Sequence, residues 1–92
     1  MAKYRKKPIV VEAVRYVGNG NMENRDVPAW LWEAFEKGIA NSTNGTEPFI
    51  IKTLEGELTV SPGDYIIQGV KGEFYPIKND IFLETYEKVI DK

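Results

Sequence analysis

The run "SPGDYIIQGVKGEFYPIK", Ser61 to Lys78, constrains the chain more than any other stretch. Glycine or proline interrupts it at 62, 63, 69, 72 and 76. That punctuation reads as turns joining short strands, not as a ligand-holding loop. In "SPGD", Pro62 presets φ, Gly63 supplies a positive φ, and Ser61 or Asp64 can bond nearby backbone. "YIIQGV" and "EFYPIK" then flank Lys71-Gly72. A two-residue turn there sets Phe74 opposite Gly69, where the ring covers the missing side chain. It also pairs Ile66 with Ile77 and Gln68 with Tyr75.

The segment before it, "PFIIKTLEGELTV", has the same character. A two-residue turn at Glu55-Gly56 pairs Thr53 with Leu58 and Ile51 with Val60. Phe49 continues that apolar face, and Lys52, Glu57 and Thr59 share the other. Nearer the start, "KPIVVEAVRYV" (7–17) is rich in β-branched residues and reads as a strand. Val10, Glu12, Val14 and Tyr16 take one face; Ile9, Val11, Ala13 and Arg15 take the other. Both faces are mostly apolar, so this strand belongs in a central or wrapped place. "VPAWLWEAFEKG" (27–38) reads as a helix. Asp26 or Val27 precedes Pro28, which suits a first helical turn, and Gly38 suits the position just past the end. Val27, Leu31, Ala34 and Phe35 form its buried face, with Trp30 flanking, while Trp32 and Glu36 point elsewhere. Stretches 18–26 and 40–48 read as loops by composition. In the tail, Asn79 or Asp80 can cap one or two helical turns over 79–84, followed by an extended segment at 85–90.

Ninety-two residues make one domain, 1–92. With 42% hydrophobic residues the chain is globular rather than disordered. It holds no Cys and no His, which removes disulfides, thiolate nucleophiles and imidazole acid–base chemistry. No apolar run approaches the ~20 residues of a membrane span. No apolar stretch with a cleavage site follows the basic "MAKYRKKP", so no signal peptide is expected and a cytoplasmic home is the default. The sequons at Asn41 and Asn44 are then chance. Net charge is −2, so nucleic acid is not an expected partner. Charge is nevertheless uneven: residues 1–25 hold six bases and two acids, and residues 26–92 hold six bases and twelve acids. The basic arm reads as a solvated terminus or as a contact for phosphate or an acidic partner.

No metal motif, phosphate loop or dinucleotide fingerprint is present, and no cofactor is expected. Glu12 stands out because a carboxylate between Val10 and Val14 is costly if buried alone. It must pair, titrate or reach solvent; Arg15, Lys52, Lys71 and Lys78 are the available partners. Glu12, Arg15, Tyr65, Lys71, Tyr75 and Lys78 together could line a ligand site on a curved sheet, since cations and aromatics suit phosphate and base. Trp32 is the residue to expect at an interface.

Three blocks carry a resemblance: "YRKKPIVVEAVRYVG", "VPAWLWEAFEKG" and "IIKTLEGELTVSPGDYIIQGVKGEFYPIKNDIFLETYE". In this order they resemble a widespread group of small phage and prophage proteins. The group shares a basic KKP-type start, a Trp-bearing helix and a C-terminal PGD-Y/W-I…GVKGE-F/Y-P…F…TY run. The resemblance covers nearly the whole chain outside 18–26 and 40–48, and the C-terminal run is its most specific part. No activity is established for that group. The resemblance therefore implies a setting, a phage accessory gene expressed in a bacterial cytoplasm, and supplies no catalytic residue.

The expected fold is α+β. It would be a strongly bent antiparallel sheet or small open barrel of about five strands, with the 27–38 helix packed on it and a short C-terminal helical turn. The first functional expectation is a non-enzymatic module that binds a host or phage protein. The alternatives are a small-ligand or nucleotide binder using the six residues above, and an enzyme using paired carboxylates. Strands apolar on both faces could also be buried by a second copy, giving a homodimer.

Overall fold

A computed structural model of the chain describes residues 1–5, 7–18, 21–25, 27–42 and 49–89. Seven strands and two helices follow one another: β1 (Glu12–Gly18), β2 (Asn21–Met22), a 3-10 turn (Glu23–Arg25), α1 (Ala29–Glu36), β3 (Ala40–Ser42), β4 (Phe49–Thr53), β5 (Gly56–Val60), β6 (Tyr65–Gln68), β7 (Phe74–Ile77) and α2 (Asn79–Thr85). They build two open antiparallel sheets, ordered β2-β1-β6-β7 and β3-β4-β5. The fold is α+β. The five expected strands are β1, β4, β5, β6 and β7; β2 and β3 are short additions.

Both additions lie in stretches expected to be loops, and each brings in a core residue. Met22 and Ala40 are buried, and they pair with Tyr16 and Ile51 respectively. A polar, glycine-rich composition concealed these two anchors. The expected cap Asp26, the sequon at Asn44 and position 90 fall outside the described residues. The first strand also starts later than expected. Its ladder with β6 begins at Glu12↔Gln68 and runs to Arg15↔Tyr65. Ile9 and Val10 lie beyond the last residue of β6 and are exposed.

Helix α1 forms as its sequence dictates. The carbonyl of Pro28 accepts from the N–H groups of Leu31 and Trp32, at 3.0 and 3.2 Å. At the other end Gly38 takes φ 75. The Gly38 N–H donates to Phe35 O at 3.1 Å and the Ile39 N–H to Ala34 O at 2.9 Å. That bond pair is a Schellman closure, which needs the left-handed residue glycine provides. Trp30, Leu31 and Ala34 are buried, Val27 and Phe35 pack against the core, and Trp32 is 58% exposed.

The main core gathers Tyr16, Leu31, Phe49, Ile51, Val60 and Ile66, all at 0% exposure. Phe49 sits at its centre, with ring centroids 4.8 Å from Tyr16 and 5.5 Å from Phe35. Trp30 stacks on Phe74 at 5.8 Å, and among the described residues its buried indole N–H has no hydrogen-bond partner.

Both hairpins depart from the expected register. In β4–β5 the turn is Leu54-Glu55, which pairs Ile51 with Leu58 and Phe49 with Val60. The shift is two residues, so the faces survive. Local bonds explain it: Thr53 Oγ1 donates to Gly56 O at 2.9 Å and accepts the Glu55 N–H at 3.1 Å, while Gly56 takes φ 113 behind the turn. In β6–β7 the shift is one residue. Ile67 pairs with Tyr75, and Gln68 with Phe74. The Gly69 N–H donates to Glu73 O at 2.7 Å and the Gly72 N–H to Gly69 O at 3.0 Å, so the turn is longer than two residues. A Cβ on Gly69 would run into the Glu73 carboxylate, which folds over it. Glu73, rather than the Phe74 ring, covers the glycine.

That one-residue slip places Pro76 opposite Ile66. Antiparallel pairs alternate between bonded and non-bonded, and the Gly69–Glu73 bond fixes the phase. Pro76 therefore lies in a non-bonded pair, where its missing N–H would have pointed outward. Strand β7 is an edge of its sheet, the one place proline is tolerated.

Alternation puts Ala13, Arg15, Tyr65, Ile67, Tyr75 and Ile77 on the sheet face away from the main core. Ile67 is nevertheless fully buried. On that face Phe82, from the C-terminal segment, stacks on Tyr65 at 3.8 Å and 11°, and Tyr86 stacks on Phe82 at 5.1 Å. The tail is helical over 79–85 and extended at Tyr86, as expected, although α2 has no side-chain cap. Strand β1 is central, between β2 and β6, but its rear face is only partly covered, since Val17 is 46% exposed.

This second face gives a pH prediction. Burial raises the Tyr75 hydroxyl above the ordinary tyrosine value of 10.0, helped by its hydrogen bond with Tyr86 and by the charges of Tyr86 and Glu73. The folded chain then holds a proton that the unfolded chain releases near pH 10. The resulting stability is complete below that pH and disappears as pH rises through the folded value. Melting temperature should fall more steeply as pH rises above 10 in the wild type than in Tyr75→Phe. Equal slopes would remove Tyr75 as the cause.

Candidate functional site

The "SPGD" turn holds the most developed polar constellation. The Asp64 N–H donates to Ser61 O at 2.9 Å, closing the turn, and the Ser61 N–H donates to Asp64 Oδ2 at 2.9 Å. Gly63 takes φ 97, and its N–H donates to Tyr16 O at 2.6 Å; the Tyr16 N–H donates to Asp64 O at 2.8 Å. The turn is thereby laced to β1. Asp64 is 6% exposed, and Lys78 Nζ approaches its Oδ2 at 3.5 Å. Arg15 Nε donates to Gly63 O at 3.3 Å, and its guanidinium lies 4.0 Å from Glu23. These bonds fasten the turn to β1.

The six proposed ligand residues fall in three places. Arg15, Tyr65 and Tyr75 share the rear face of the four-stranded sheet, but Phe82 lies on the Tyr65 ring and Tyr86 bonds the Tyr75 hydroxyl. Lys78 is held at the Asp64 turn. Glu12 and Lys71 lie at the other end of the sheet. Lys71 is exposed on the β6–β7 turn, where its N–H donates to Glu73 Oε2 at 3.1 Å. Glu12 is exposed beside an open cleft of about 500 Å³, bordered by Val10, Val11, Gln68 and the turn glycines. Among the described residues it makes no ion pair; it reaches solvent instead. Among the described residues, no group of three or more Asp and Glu side chains comes together as a metal site would require.

The larger concavity lies elsewhere. A groove of about 710 Å³ opens between the β4–β5 hairpin and β7. Ile39, Leu58, Phe74 and Pro76 supply an apolar floor, and Leu54 projects from the turn at its end. Lys52, Glu55 and Glu73 are its charged side chains. Sequence reading missed this groove because it exists only in the true registers: Leu54 becomes a turn residue and Pro76 an outward edge residue. An apolar residue at a turn position was the available signal.

No helix among the described residues is long and apolar enough to cross a membrane. No family model, no curated protein and no solved structure matches the chain.

Proposed function

We propose that this chain is a non-enzymatic protein-binding module, of phage or prophage origin and acting in the host cytoplasm, that docks an extended segment of a partner protein in the groove between the β4–β5 hairpin and β7. One observation carries the reading: the larger of the two open concavities is mostly apolar and edged by an unpaired strand, whereas the candidate small-ligand residues are split among three places, with Tyr65 and Tyr75 engaged by Phe82 and Tyr86. An extended peptide suits such an edge, because side chains fill the floor and Phe74 still has outward backbone groups to bond. Two carboxylates against one ammonium in the lining favour a segment with cationic residues. Trp32, exposed on α1, adds an anchor of the kind interfaces favour.

A photo-crosslinker at position 54, compared with one at exposed Glu36, tests the reading. Partner crosslinks should concentrate at 54 and map to one extended segment, and Glu55→Lys should weaken them. Equal labelling at both positions would overturn it. So would a nucleotide that stabilises the protein, which at a hundredfold excess over its dissociation constant adds about 2.7 kcal/mol.

A further inference from the structure

We infer that the segment taken up by the groove is the N-terminal arm of a second copy of this chain, with residues 7–11 as the docking strand. The inference rests on the docking reading of the groove and names its occupant.

The arm is built to pair and has nothing to pair with. Ile9, Val10 and Val11 are β-branched and directly precede β1, yet the ladder to β6 stops at Glu12↔Gln68. Tyr4 is 94% exposed, Val10 75% and Ile9 46%. Ile9 and Val10, adjacent and exposed beside a half-buried Val11, form an apolar edge of the kind that marks an interaction surface.

Charge then selects the groove. Lys3, Arg5 and Lys7 lie on the arm, and no acid precedes Glu12. The groove presents Glu55 and Glu73 against Lys52, and residues 26–92 carry a net −6, from six bases and twelve acids. Basic arm and acidic body attract between copies.

Position makes the exchange reciprocal. Val10 and Val11 border the cleft beside the β6–β7 turn, and Gly72 of that turn borders both the cleft and the groove. The root of the arm and the end of the groove are therefore neighbours. Two copies facing each other across a twofold axis can each lay an arm in the other's groove, which closes the assembly at two. Entering its own groove would require the arm to reverse around the turn within a few residues. Pro8 and the β-branched run favour extended backbone instead.

The test is light scattering on the full chain across a concentration series at low salt. Twice the single-chain mass is expected, with dissociation favoured by added salt. The pair Ile9→Asp and Val10→Asp, outside the sheet and exposed, should return the single-chain mass with an unchanged far-ultraviolet spectrum. Glu55→Lys should weaken the dimer several-fold, and Lys7→Glu added to it should recover part of the loss. Mixing isotope-labelled and unlabelled chains should give arm-to-groove crosslinks between labels. A single-chain mass at every concentration, crosslinks confined within one chain, or a dimer indifferent to the arm variants would each overturn the inference. If a monomeric chain still crosslinks another protein at position 54, only this inference falls and the docking reading stands.

Discussion

Replacing Phe49 by alanine is expected to lower the unfolding free energy by about 3–5 kcal/mol. The ring is fully buried and packs between Tyr16 and Phe35, so its removal leaves a cavity lined by two rigid aromatics that cannot collapse into it. Phe49 also pairs with both β3 and β5, through Ser42 and Val60, so the loss falls on the middle of the three-stranded sheet. A domain of this size has only about 5–14 kcal/mol in total. The urea midpoint should therefore drop by a large fraction of its wild-type value at an unchanged slope. A cost below about 1.5 kcal/mol would mean that the two sheets do not share this core.

Asp64→Ala should cost about 1.5–3 kcal/mol. The carboxylate is nearly buried and accepts the Ser61 N–H, so alanine leaves that donor without its partner. The Lys78 contact adds little, since the lysine side chain is 61% exposed and water screens the pair. Lys78→Met should therefore change stability by less than about 1 kcal/mol. Chemical unfolding of the two variants side by side separates the roles. Equal losses would show that the ion pair, and not the turn bond, is what Asp64 provides.

The turn chemistry was the most legible part of the molecule. Gly63 and Gly38 take the left-handed conformations their positions demand, and Asp64 bonds the backbone of its own turn. These outcomes depend on a few adjacent residues, which the sequence displays directly. The helix faces were legible for a similar reason, since Leu31 and Ala34 recur at helical spacing and Trp32 does not. Register was less so. The Thr53 hydroxyl moved the β4–β5 turn by two residues, which leaves the apolar alternation intact and so leaves no trace in the pattern. The Glu73 carboxylate, folded over Gly69, accompanies a longer β6–β7 turn and a one-residue slip. That slip moved Tyr75 off the face of Glu12 and onto that of Tyr65 and Arg15, and set Pro76 opposite Ile66 at the groove. Tyr65 and Tyr75 looked available because nothing local says that Phe82 and Tyr86 will return to cover them.

The place of β1 between β2 and β6 has a consequence for synthesis in the cell. Glu12 emerges from the ribosome long before Gln68, its ladder partner. At about 5–20 residues per second the nascent strand waits roughly 3–11 s with one edge open. During that interval the run of lysines and arginine ahead of it is the local charge that keeps neighbouring nascent chains apart, so neutralising those residues should lower soluble yield even where the finished protein is equally stable.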